Sequence, residues 1–164
     1  MMSHTVTVTR TTTSTTTSAI ILNTGYCKTL PGILKILQII GGAICIGIIQ
    51  YYKSKYNRLF SPSPEVFFLC VATTCFIASS CLLLSCLCSL STASIISKTL
   101  YEFIYHGVAF LLYLAGSAYL LWDARESRNQ YYYENHYTVG VIGLVITALY
   151  LISTILAYRS YRGA

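Results

Sequence analysis

Four apolar runs govern what this chain can become: Pro31 to Tyr52, Val66 to Leu90, Phe103 to Trp122 and Val139 to Tyr158. Each is long enough for a helix to cross a hydrocarbon core of ~30 Å, which takes about 20 residues at 1.5 Å each. None shows the polar face of an amphipathic helix from a soluble protein. Only 10% of the residues are charged, against roughly 25% in soluble domains, so a compact soluble body would lack polar surface. The expected fold class is an all-α integral membrane protein. A four-helix transmembrane bundle is expected over residues 26–162, behind a polar tail over residues 1–25.

The net charge of +6 does not indicate nucleic acid. The basic residues lie in short clusters between apolar runs, as membrane-flanking charge does, and not along one face or arm. A cleaved signal peptide is not expected either. The first run begins late, exceeds an h-region in length, and leads into Tyr51, Tyr52 and Lys53 instead of a small-residue cleavage site.

The tail "SHTVTVTRTTTSTTTS" is rich in Thr and Ser and is expected to be disordered and open to phosphorylation. Pro31 suits the first turn of a helix, with Thr29 upstream as a cap. The first run then carries Gly41, Gly42, Ala43 and Gly47, small residues that let helices approach closely where no hydrophobic effect drives association. Ala115 and Gly116 form a second such patch, and Gly140 and Gly143 a third. Gln38 is expected to turn inward. Ser63, Pro64 and Glu65 resemble a helix start.

Lys35 and Lys98 are expected to be interfacial anchors, their stems along the helix and their ammoniums at the headgroups. Lys98, Glu102 and His106 are spaced to share one helix face. Glu102 and His106 are therefore candidates for an intramembrane proton or metal site. One carboxylate and one imidazole are few ligands for a metal, and an ion-pair ladder at the interface is the preferred expectation. No catalytic residues and no cofactor are expected. The loop "YYYENHY" resembles an interfacial aromatic belt.

Charge does not orient the bundle. Lys28, Lys35, Lys98, Arg159 and Arg162 flank one side, and Lys53, Lys55, Arg58, Arg125 and Arg128 the other. Cysteines discriminate better. Cys45, Cys70, Cys75 and Cys81 lie within runs, whereas Cys27, Cys86 and Cys88 lie near run ends on the N-terminal side. The loops on the opposite side contain none. Thiols kept on one side fit a reducing compartment, so both termini are expected to be cytoplasmic. Cys27, Cys86 and Cys88 are then candidates for S-palmitoylation.

"KTLPGILKILQIIGGAICIGII" resembles the first span of the MARVEL domain found in MAL-like, chemokine-like-factor, physin and singles-bar-type proteins. The likeness lies in a Pro-Gly break followed by Lys35, Leu37 and Gln38. "FIYHGVAFLLYLAGSAYLLWDA" is similar to that family's third span, and the tail "TVTVTRTTT" to myeloid-associated differentiation marker proteins. The resemblance implies cytoplasmic termini and a non-enzymatic membrane organiser of the plasma membrane or trafficking vesicles. Its roles would lie in trafficking, membrane apposition or cell junctions, often in cholesterol-rich membrane. Expected partners are membrane lipids, cholesterol among them, other membrane proteins and further copies of the chain. Weak cholesterol-contact patterns occur at Lys53–Tyr56–Leu59 and Leu156–Tyr158–Arg162. The alternative is a small transporter or channel subunit using Glu102 and His106.

Overall fold

The computed structural model describes residues 24–55, 63–88, 95–96, 99–126 and 130–163, with the side chains of 130–133 left aside. Lys98 and the Thr/Ser tail lie outside the described residues. A short 3-10 helix, Thr24–Lys28, leads into α1 (Leu30–Lys55), α2 (Ser63–Cys88), α3 (Leu100–Glu126) and α4 (Gln130–Tyr161). All four contain windows long and apolar enough to cross a membrane.

Local chemistry sets the helix ends. The Gly32 amide donates to Thr29 Oγ1 at 3.3 Å, and the Thr29 hydroxyl donates to the Tyr26 carbonyl at 2.7 Å. One side chain thus caps α1 and fastens the preceding turn to it. At the far terminus, Gly163 adopts φ 73° and donates to the Ser160 carbonyl, closing α4 with a left-handed residue. The segment expected as an aromatic loop is instead the opening of α4, so this helix begins before the apolar run at Val139. Asn135 and His136 are buried there, and a helical turn orients His136 toward α3.

The helices form a ring in which α1 touches α2 and α4, α2 touches α3, and α3 has its largest interface with α4. Lys35 near the start of α1 meets Glu102 near the start of α3 and lines a cavity with Ser160 near the end of α4. Successive helices therefore run up, down, up and down, as short connections favour.

Burial follows a 3.5-residue period. On α1 the buried stripe includes Lys35, Gln38, Gly42, Cys45 and Ile49. On α2 it includes Phe68, Ala72, Cys75, Ser79, Leu82 and Cys86, and on α3 Glu102, His106, Ala109, Tyr113, Gly116 and Leu120. On α4 it includes Val139, Ile146, Tyr150, Ser153 and Ala157. This is the a/d seam of a left-handed bundle. Large aliphatics lie outside, among them Ile40, Leu84, Leu111 and Val145.

The small residues divide into two sets. A Cβ on Gly143 would come 2.8 Å from the Phe68 ring, and one on Gly140 2.8 Å from Leu121. Gly41 abuts Ile146, Gly42 faces the Tyr113 hydroxyl, and Gly116 faces Phe68. By contrast, a Cβ on Gly47 would meet nothing within 4 Å, and Ala43 and Ala115 are exposed on the outer surface. Inside the bundle, then, these three make no close helix contact. Gly143→Ala is expected to destabilise the bundle by about 1–3 kcal/mol through overpacking. Gly47→Ala should be neutral or slightly stabilising, because Ala is the better helix former. Unfolding titrations of both variants in matched detergent micelles check the contrast.

Candidate functional site

Polar side chains, not apolar ones, fill the ends of this interior. At the N-terminal end, Lys35 on α1 donates to the Glu102 carboxylate on α3, across the diagonal of the ring. Its ammonium also donates to the Tyr26 hydroxyl at 3.1 Å and lies 5.8 Å from that ring's centre. Burial pushes the Tyr26 hydroxyl well above its ordinary pKa, so it stays protonated beside the lysine. His106, one turn along α3 from Glu102, places Nε2 3.6 Å from the same carboxylate oxygen. Only 1% of Lys35 is exposed. Its expected place at the headgroups is therefore corrected: the Glu102 carboxylate and the Tyr26 hydroxyl hold its ammonium inside. The cation that the structure gives to Glu102 is Lys35 from another helix. The expected ladder through Lys98 lies outside the described residues.

One turn deeper, the Gln38 side-chain amide donates to Ser153 Oγ at 2.8 Å and to the Leu149 carbonyl at 3.3 Å, joining α1 to α4. Toward the middle, Ser79 Oγ lies 2.8 Å from the Tyr105 hydroxyl and 2.9 Å from the Tyr150 hydroxyl. The Tyr105 hydroxyl also lies 3.1 Å from the Cys75 carbonyl. Tyr150 stacks on Tyr113 with ring centres 5.4 Å apart, and Tyr113 meets Phe68 edge-on at 5.7 Å. Three helices thus supply one plug of rings and hydroxyls.

A second charged cluster closes the opposite end. His136 Nδ1 on α4 lies 2.9 Å from Asp123 Oδ2 on α3, and its Nε2 lies 3.8 Å from Glu65 Oε2 on α2. Glu65 and His136 are each 1% exposed. Sequence reasoning placed His136 in a loop and used Glu65 only against a helix dipole. It did not single out Tyr26, Tyr150 or Ser153. Tyr150 and Ser153 fall on the 3.5-residue period of the seam, whereas Tyr26 lies in the turn before α1 and carries no such signal.

The expected lipidation cysteines share the N-terminal end but differ in access. Cys88 is exposed, Cys27 half-buried and Cys86 buried. Among the described residues, no three His, Cys, Asp or Glu side chains gather to hold a metal. The arrangement can cross-link helices electrostatically and close both ends of the bundle.

These features define a multi-pass membrane protein whose four-helix domain is held together by interior polar groups. A membrane-associating domain, MARVEL, matches residues 26–157, and the chain belongs to that family. No curated protein and no solved structure matches it.

The diagonal ion pair yields a cycle. Lys35→Met and Glu102→Gln are each expected to cost about 3–5 kcal/mol, because either leaves an uncompensated buried group. The double variant should lose much less than the sum of the two. Unfolding free energies of the four proteins in one detergent check it, and simple additivity would show that the pair is not coupled.

Proposed function

We propose that the protein is a non-enzymatic membrane organiser, acting in trafficking, membrane apposition or cell junctions by gathering partners and lipids around its outer face. The observation that carries this is the division of the molecule into a closed interior and an apolar exterior. Phe68, Tyr113 and Tyr150 fill the middle of the bundle, and the charges at each end are turned on one another. What the bundle offers its surroundings is a lateral surface of exposed aliphatics. Membership of a membrane-associating family, which is not an enzyme family, agrees with this.

The second candidate, a transporter or channel subunit, is disfavoured by the same geometry. Glu102 is engaged by Lys35, and aromatic rings occupy the midplane a substrate would have to cross. Proteoliposomes carrying the protein should show no ion flux above empty vesicles. Flux that Glu102→Gln or His106→Ala abolishes would reverse the assignment.

Both termini are assigned to the cytoplasm. Cys27, Cys86 and Cys88 gather at the end of the bundle that carries the N-terminal turn and the end of α4, which suits a reducing compartment. N- and C-terminal epitope tags should stain only after the plasma membrane is permeabilised. Staining of intact cells would invert the topology. Among the three thiols, exposed Cys88 is the acceptor we favour for an acyl chain. Acyl-exchange labelling should fall with Cys88→Ala and persist with Cys86→Ala.

A further inference from the structure

The short turn Thr24–Lys28 touches α1 and α2 at the N-terminal end of the bundle. None of its residues is buried, whereas the groups that Tyr26 meets are: Lys35 and Cys86 are each 1% exposed, and Glu102 5%. The Tyr26 hydroxyl accepts from the Lys35 ammonium at 3.1 Å and lies beside the Cys86 thiol of α2, with the Glu102 carboxylate nearby. Its carbonyl accepts from the amide and the hydroxyl of Thr29, at 3.0 and 2.7 Å, which folds the turn back toward α1. A glycine makes that fold possible. A Cβ on Gly32 would overlap the Tyr26 carbonyl, so the turn seats here only because α1 carries no side chain at this position.

The turn and the layer it meets differ in how firmly they are held. A segment with few buried contacts opens at a free energy well below that of global unfolding. Here the main attachment is one hydrogen bond from an ammonium, with the Tyr26 ring 5.8 Å from the same charge. Water can replace the tyrosine hydroxyl as an acceptor, and Glu102 keeps its hold on Lys35 meanwhile. The ion pair therefore does not oppose the opening of the turn. Cys86 lies two residues from the end of α2, in the same layer as Lys35 and Glu102, and Tyr26 adjoins all three. Cys45 and Cys75 are buried as deeply, at 0% and 3%, but within the packed core of the four helices.

We propose that Thr24–Lys28 is a hinged cover, held shut by Tyr26, whose opening uncovers Cys86 and the Lys35–Glu102 pair while the four helices stay packed. Closed, it leaves Cys88 as the exposed thiol at the end of α2; open, it adds Cys86. The Thr- and Ser-rich stretch of the chain runs directly into the cover. A partner or a modification acting on that stretch thereby gains a route to the ion pair that joins α1 to α3. The device depends on neither the sidedness nor the membrane-organising role proposed above.

The test is labelling of the full chain in phosphatidylcholine nanodiscs with a small water-soluble maleimide, read cysteine by cysteine by mass spectrometry. In the wild type, Cys86 should react more slowly than exposed Cys88 but faster than Cys45 and Cys75. Tyr26→Phe keeps the ring and removes the hydroxyl, and should speed labelling of Cys86 about tenfold, as loss of one hydrogen bond to an ammonium implies. Gly32→Ala displaces the turn by steric overlap instead, and should speed it at least as much. Neither variant should change the rates at Cys45 and Cys75, which report on the packing of the core. A Cys86 rate unchanged in both variants would overturn the proposal. So would acceleration of all three buried thiols together, which marks unfolding of the bundle in place of the opening of a cover. Because both variants alter the protein, the wild type supplies a further check: equal rates at Cys45, Cys75 and Cys86 would also overturn it.

Discussion

An ammonium facing hydrocarbon costs several kcal/mol, and the way the Lys35 charge is met organises the N-terminal half of the bundle. Lys35 sits about 7.5 Å into α1 at 1.5 Å per residue, near the hydrocarbon boundary. Its carboxylate partner comes from α3, the helix diagonally opposite, and its second acceptor from the turn before α1. A pair that crosses the diagonal draws all four helices inward, because α2 and α4 must close around it. Buried ion pairs are weak sources of net stability, since desolvation offsets most of the attraction. Here the pair's contribution is register: with Lys35 unable to leave Glu102 cheaply, α1 can neither rotate nor slide against α3.

The rest of the seam follows the same logic. In lipid, an apolar side chain gains little by moving from hydrocarbon to another helix, so specificity falls to groups that lipid cannot satisfy and to shapes it cannot fill. The Gln38 bond to Ser153, the Ser79 contacts with Tyr105 and Tyr150, and the cluster of Glu65, Asp123 and His136 are of the first kind. The close seats of Gly140 against Leu121 and of Gly143 against Phe68 are of the second. Several of these contacts join diagonal helices, Ser79 to Tyr150 and Glu65 to His136 among them. Others join neighbours around the ring, Gln38 to Ser153, Ser79 to Tyr105 and Asp123 to His136.

How much of this could be read in the chain follows from the same physics. Helix number, order and approximate limits were legible because hydrocarbon demands long apolar runs. Thr29 and Pro31 marked the start of α1 for reasons local to the backbone. The site was less legible. Glu102 and His106 were found as a spacing within one helix, but their partner lies 67 residues away in Lys35, a separation no local pattern encodes. Lys35 was misplaced because snorkelling to water is the usual escape for a lysine near a helix end. A buried carboxylate on another helix was the alternative that local reasoning could not see. His136 was read as a loop residue because its neighbours Tyr131, Tyr132, Tyr133 and Glu134 dilute the apolar signal of a span. The pattern that does carry the seam, polar and small residues repeating every 3.5 positions, is the inverse of the apolar stripe of a soluble helix.

The two charged clusters also fix how the molecule sits. From Glu102 to Asp123 along α3 is about 32 Å at 1.5 Å per residue, close to the ~30 Å thickness of a hydrocarbon core. The groups most costly to immerse thus fall near both boundaries, and the aromatic–hydroxyl plug of Ser79, Tyr105, Tyr113 and Tyr150 occupies the depth between them. Raising or lowering the bundle would carry one cluster toward the midplane while relieving the other by nothing comparable. A bundle pinned at both faces in this way answers a change in bilayer thickness at its outer surface, where exposed aliphatics meet lipid, before it answers in its core. That behaviour suits the membrane-organising role proposed above for this membrane-associating domain.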